Sequence, residues 1–269
     1  MSVPKFFLVF LLPLIAECAV VPEVDPEGRI VGGYSAAPGQ FPYQVSIQTV
    51  DEIHNCGGSI VSSSWILSSA YCAHDKEPGV TTAVVGSHLV SLGGVRYGLQ
   101  NIVVHPDYNS RQFQHDIGMM KTDTLIIFTD FIKPIKIATT EIVTEIPAIA
   151  SGWGTLAYPG AYANNLQYLP VTIIGNELCT TLHTTTNAAK LHPGAMCAQP
   201  IKGTGMCVGD TGSPLVANLD NVRYVQIGVV SWGVPCGANY PDVYTRLSSY
   251  IPWISEVSDA FFIERDEQV

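Results

Sequence analysis

The chain has 269 residues and a mass of 29.0 kDa, is 47% hydrophobic, and carries 23 acidic against 13 basic side chains for a formal charge of −10. That length holds one large domain or two small ones, with ample apolar material for a core. A charged fraction of only 13% beside 24 Gly and 18 Pro suits a β-rich, turn-rich fold and argues against coiled coil, solenoid or disorder, while a sequence pI near 5.0 argues against nucleic-acid binding.

Lys5 precedes an apolar run at 6–15, broken only by Pro13 and followed by Ala16, Glu17, Cys18 and Ala19. A basic start, about ten apolar residues and small residues behind them make an export signal. The run ends well short of the roughly twenty residues a membrane span needs, so no membrane insertion is expected. The signal is assigned to 1–18, with cleavage after Cys18 or Ala19, and an acidic leader with two prolines to 19–29.

Seven cysteines are present; once Cys18 leaves with the signal, Cys56, Cys72, Cys179, Cys197, Cys207 and Cys236 remain. Six cysteines in an oxidising compartment fit three bridges, and fifteen pairings are open. Without a close C-x-x-C pair, and with scattered histidines, neither a metal nor another cofactor is expected.

Short strand-like segments follow at 43–49, 58–67, 82–85, 100–104, 146–151, 169–174, 215–218 and 225–232, separated by turn signals such as Pro38-Gly39, Gly93-Gly94, His105-Pro106 and Pro159-Gly160. Such punctuation predicts a sandwich or barrel rather than βαβ units. Asn176 reads as the cap of a short helix. A terminal helix is predicted over 249–262, with Ile251, Ile254, Val257 and Phe261 on one face and Pro252 in its first turn. The polar tail is 263–269.

Seven local motifs stand in order: Arg29-Ile30-Val31-Gly32-Gly33, Asn55-Cys56-Gly57-Gly58, Ser69-Ala70-Tyr71-Cys72, His115-Asp116-Ile117-Gly118, Ser151-Gly152-Trp153-Gly154, Cys207-Val208-Gly209-Asp210-Thr211-Gly212-Ser213-Pro214 and Ser231-Trp232-Gly233. Each is moderately specific; the ordered set resembles the trypsin/chymotrypsin family of secreted serine proteases across about 30–257. The resemblance implies an all-β fold of two packed antiparallel six-stranded barrels, at about 30–140 and 141–248, with a C-terminal helix. It further implies bridges Cys56–Cys72, Cys179–Cys197 and Cys207–Cys236. Arg29 before Ile30 looks like an activation site, whose new ammonium group would pair with Asp210.

Acyl transfer in this family needs a hydroxyl nucleophile, an imidazole base and a carboxylate that orients the imidazole. The position matching the base is Tyr71, and a phenol with an ordinary pKa near 10 cannot take up a proton near neutrality as an imidazole does. His74, beyond the Cys72 bridge, is expected to be a surface residue beside Asp75, and His54 to satisfy a local hydrogen bond. Asp116 retains the carboxylate. Thr211 holds the nucleophile's place, with a β-methyl that restricts its χ1, and Ser213 replaces a family glycine, an exchange expected to strain the turn if that position needs glycine geometry. The N–H groups of Gly209 and Thr211 could still form an oxyanion hole. The resemblance thus implies a vestigial triad of Tyr71, Asp116 and Thr211 with no working catalytic group.

The specificity pocket implied by the family comprises Gly205, Met206, Val208, Ser231, Gly233 and Asp242. Gly205 stands where trypsins carry the carboxylate that selects Lys and Arg, while Asp242 replaces a glycine in Pro241-Asp242-Val243-Tyr244. Asp242 either fills the pocket or offers a carboxylate from its wall. Ser91-Leu92-Gly93-Gly94, Ile102-Val103-Val104-His105 and the three-bridge plan are similar to mite digestive trypsins of the group 3 allergen type, and the altered triad to the inactivated paralogues of the scabies mite. That likeness implies a secreted, non-catalytic protein that binds host proteins, complement components among them, and so inhibits host complement and defence. The alternatives are a regulator or decoy for active proteases or their inhibitors, and a weak threonine-type endopeptidase.

Overall fold

A computed structural model describes residues 32–142, 145–220, 223–234 and 236–263. The export signal, the leader, Arg29, Ile30 and most of the polar tail lie outside the described residues.

The first half forms strands β1 (Tyr34–Ser35), β2 (Gln44–Thr49), β3 (His54–Ile60), β4 (Trp65–Ser68), β5 (Thr81–Val85), β6 (Val95–Val104) and β7 (Gly118–Thr122), with the one-turn helix α1 (Ala70–Ala73) after β4. Strands β2-β3-β4-β7-β6-β5 close into an antiparallel barrel. The second half contributes β8 (Ile137–Ala138), β9 (Pro147–Gly152), β10 (Gln167–Ile174), α2 (Asn176–Leu182), α3 (Thr185–Ala188), β11 (Ala195–Pro200), β12 (Pro214–Asn218), β13 (Tyr224–Trp232), β14 (Asp242–Arg246), a 3-10 turn at Leu247–Tyr250, α4 (Ile251–Val257) and β15 (Phe262–Ile263). Here β12-β9-β10-β11-β14-β13 closes through the β12–β13 pairing into a second barrel of six strands. Closure pairs both edges of every strand within the two six-stranded barrels, while β1 adds to β10 and the parallel β8 and β15 add beyond β13.

Each barrel buries its own apolar filling. Val45, Ile47, Ile60, Ile66, Val85 and Met120 fill the first, and Leu169, Val171, Ile173, Met196, Leu215 and Tyr244 the second. The alternation of Leu169, Val171 and Ile173 puts one face of β10 inward. Each such side chain contributes about 1.5–3 kcal/mol by leaving water. A third cluster joins the halves, with Leu67, Ile117 and Met119 packed against Val229, Leu247 and Ile254. Polar bonds also cross this seam: the Ser59 hydroxyl donates to Gln226 Oε1 at 2.7 Å, and Gly57 N–H to the Thr211 carbonyl at 2.9 Å.

The expected segment at 58–67 is two strands, because the Ser62 hydroxyl accepts from the N–H groups of Ser64 and Trp65 and closes a turn between them. Asn176 is the first helical residue rather than the cap, which is Gly175. Its side chain is used elsewhere, donating to the Ala195 carbonyl and accepting from Arg246. The terminal helix ends at Val257, where Ser258 turns extended and its N–H closes on Ile254. Phe262 and Ile263 then pair in parallel with β8, so Phe261 lies off the predicted apolar face and Ile263 is strand, not tail.

Candidate active site

A groove of about 840 Å³ is walled by residues of both barrels, and Tyr71, Val208, Thr211, Trp232, Gly233 and Asp242 are among its lining. Tyr71 arrives on α1, whose first turn is capped by the Ser69 hydroxyl accepting from Cys72 N–H at 3.1 Å. The Cys56–Cys72 bridge ties that helix to β3. The structure also joins Cys179 to Cys197 and Cys207 to Cys236.

Asp116 is fully buried behind Tyr71. Its Oδ1 accepts from the Tyr71 backbone N–H at 2.8 Å, its Oδ2 from the Ser231 hydroxyl at 2.5 Å, and its own carbonyl from the Thr245 hydroxyl at 2.6 Å. Burial pushes its carboxyl up to about 6, against the pull of these donors. The Tyr71 phenol contributes nothing to this set: the residue is 56% exposed and its ring faces the groove. Ser231, predicted as pocket wall, thus also anchors the carboxylate.

Thr211 lines the same groove, and among the described residues no hydrogen bond reaches its hydroxyl. Gly209 sits at φ +96°, a conformation open to glycine, with the Tyr162 ring where a Cβ would project. The Gly209 carbonyl is held by His54, whose Nε2 lies 3.0 Å away while its Nδ1 meets the Ser46 hydroxyl at 2.8 Å. Burial lowers His54 to about 4, so it is neutral with both nitrogens engaged. His74 is exposed, its Nε2 3.4 Å from Asp75, and rests against the Tyr108 ring.

Ser213 does not adopt a glycine conformation: its φ is not positive, and the expected strain is absent. Room for its side chain lies across the seam. Gly57 has no Cβ to overlap the Ser213 side chain, and the Ser213 hydroxyl accepts from Gln44 Nε2 at 3.3 Å. Gln44 Oε1 in turn accepts from Ser151 at 2.7 Å, a buried network that no local motif announces.

Asp210 is completely buried, accepting from Gly154 N–H at 2.7 Å and Cys207 N–H at 2.9 Å, and is raised to about 7 by burial. The expected partner, Ile30, lies outside the described residues.

The Asp242 carboxylate enters the pocket between two glycines. A Cβ on Gly233 would lie 3.0 Å from its Oδ1, and one on Gly205 3.5 Å from its Oδ2. Its Oδ2 accepts from Met206 N–H at 2.9 Å, and the residue is only 4% exposed. Burial, and then the nearby Asp210 charge, raise it to about 7. Met206 is buried beside it, Val208 half exposed at the rim. Gly205 is next to the carboxylate but does not line the groove itself.

The trypsin family model, described simply as Trypsin, matches residues 30–254. Chymotrypsin-2 of Vespa crabro is 34% identical over 84% of this chain and 99% of its own length, and trypsin delta of Drosophila melanogaster is 34% identical over 87% and 90%. Serine proteinase stubble of Drosophila melanogaster is 32% identical over 90% of this chain, which spans only 32% of that larger protein. Two closed six-stranded barrels, a groove lined by Tyr71 and the Thr211 loop with Asp116 buried behind it, and these matches together place the chain in the trypsin family of serine proteases.

Proposed function

We propose that this chain is a catalytically silent member of its family that acts by binding protein. The carrying observation is Tyr71 at the position matching the base, its backbone on Asp116 and its phenol in the groove. General-base catalysis requires a proton acceptor within about 2.6–3.2 Å of the hydroxyl it activates. His54 has both nitrogens committed, and His74 is paired with Asp75. Losing one triad member alone leaves only a residual acceleration of about 10³–10⁴ over water, as the family's own proteases illustrate.

The segment 1–18 and three disulfides support export to an oxidising compartment. The likeness to inactivated mite paralogues makes host defence proteins, complement components included, the first partners to try. A decoy role draws support from the preserved groove, since Gly233 and the Asp242 carboxylate could still receive an extended segment with a basic side chain. Hydrolysis of a broad peptide library by the chain cleaved after Arg29, with capture from host plasma in parallel, tests the proposal. Turnover that depends on Thr211 would overturn it; no turnover with selective capture of a plasma protein is the expected result.

A further inference from the structure

Three histidines outside the triad positions converge from two loops. The His105 and His115 rings stack with centroids 5.1 Å apart and planes 11° from parallel, and the His192 ring lies 4.4 Å from that of His115. Tyr250 and Trp253 wall the cluster, their rings 5.3 and 5.1 Å from His105, and the Tyr250 hydroxyl is 3.3 Å from His115 Nδ1.

His105 and His192 each open a His-Pro dipeptide. Proline has no N–H, so the first amide able to turn back is two residues on. In both loops it does so: Asp107 N–H donates to His105 Nδ1 at 3.2 Å, and Gly194 N–H to His192 Nδ1 at 3.0 Å. A ring nitrogen that accepts a hydrogen bond carries no proton, so both neutral rings hold theirs on Nε2. An added proton must go onto Nδ1. It converts the acceptor into a donor facing another donor, so the amide bond is lost as the ring becomes charged. One event therefore loosens the turn and places a positive charge beside the stacked His115 ring.

We propose that His105, His115 and His192 form an acid-sensitive latch joining the 105–116 loop to the 192–194 turn, released when His105 and His192 take up a proton on Nδ1. The groups facing the cluster divide in sign. The Asp107 carboxylate favours a first proton on His105, and buried Asp116 follows His115 directly in the chain. Tyr250 stays neutral, its phenol pushed up to about 12 by burial and by these two carboxylates. Lys190, two residues before His192, is cationic and lies over the Phe113 and Trp232 rings. His105 and His192 are both held below the ordinary histidine value, first by burial and then by His115. Among the described residues no three His, Cys, Asp or Glu side chains are placed to hold a metal, so the cluster is not read as a metal site. The released loop carries Phe113, whose ring lies 6.5 Å from Trp232 on the groove wall, so acid would loosen that wall.

NMR on the full chain tests this, following imidazole nitrogens and amide exchange from pH 7.5 to 5, with exchange corrected for its intrinsic pH dependence. At pH 7.5 His105 and His192 should show the Nε2–H tautomer. Protection of the Asp107 and Gly194 amides should fall at least tenfold by pH 5 while β10 amides stay protected. In a His105→Asn/His192→Asn variant the asparagine oxygen can accept the same amide but cannot titrate, so protection should stay level. Constant wild-type protection, an Nδ1–H tautomer at pH 7.5, or equal loss in the variant would each overturn the latch. Should the variant not fold, the wild-type titration alone decides.

Discussion

Tyr71 donates its backbone N–H to Asp116 at 2.8 Å while its phenol stands in the groove that Thr211 also lines. The carboxylate therefore remains anchored by the main chain and by Ser231, whatever side chain residue 71 carries.

From that independence comes a two-step prediction. On the proposed function, Thr211→Ser alone should leave peptide hydrolysis at the level of the unaltered chain, because a better hydroxyl without a base stays an ordinary alcohol. Adding Tyr71→His should raise kcat/KM by about 10²-fold or more over Thr211→Ser, the lower end of what a positioned base supplies. Ser213 is no obstacle, given its unstrained backbone and its bond to Gln44. Steady-state assays on all three proteins decide it, and turnover by Thr211→Ser alone would contradict the base-deficient reading.

The Asp242 carboxyl is raised from an ordinary 3.8 to about 7. Folding therefore takes up a proton between those values, and the chain loses stability as pH rises through that window. Once both states are ionised, the cost approaches 4 kcal/mol, at about 1.4 kcal/mol per pH unit. Asp242→Asn keeps an oxygen for Met206 N–H and removes the charge. Thermal melts should show it more stable than the parent at pH 8, by up to that amount, and nearly equal to it at pH 4.

Most barrel strands were legible because β-branched runs such as Thr81–Val85 and Tyr224–Trp232 meet punctuation at both ends. Strands β7, β11 and β14 were not, since Gly118-Met119-Met120-Lys121 and Ala195–Pro200 show neither alternation nor a β-branched run. The positions matching the family's triad, Tyr71, Asp116 and Thr211, could be placed from ordered motifs, each anchored by a neighbouring cysteine or glycine. What escaped was contact between distant segments. Room for Ser213 depends on Gly57, and three histidines meet only after β6, β7 and β11 are in register.

Gln44 bridges two buried hydroxyls, donating to Ser213 and accepting from Ser151. Gln44→Leu keeps the volume but strips both partners, and a buried polar group left unpaired costs about 1–3 kcal/mol. Urea denaturation should show a loss of about 2–6 kcal/mol for the two groups together. Adding Ser213→Gly and Ser151→Ala to Gln44→Leu removes the orphaned hydroxyls and should return part of the loss.

His54 governs the acid limb of stability. Its value falls from 6.5 to about 4 in the folded chain because burial disfavours the imidazolium. The unfolded chain therefore binds a proton that the folded chain refuses, and stability drains away as pH falls from about 6.5 toward 4. At the lower end the loss approaches about 3 kcal/mol, at about 1.4 kcal/mol per unit. His54→Gln can still donate to the Gly209 carbonyl and accept from Ser46, the two bonds the imidazole makes. Its denaturation midpoint should fall less than the parent's between pH 7 and 4.5, with the two curves converging in slope above pH 7. A parent and variant with parallel acid limbs would show that His54 is charged in the folded chain, and would return it to consideration as a proton acceptor.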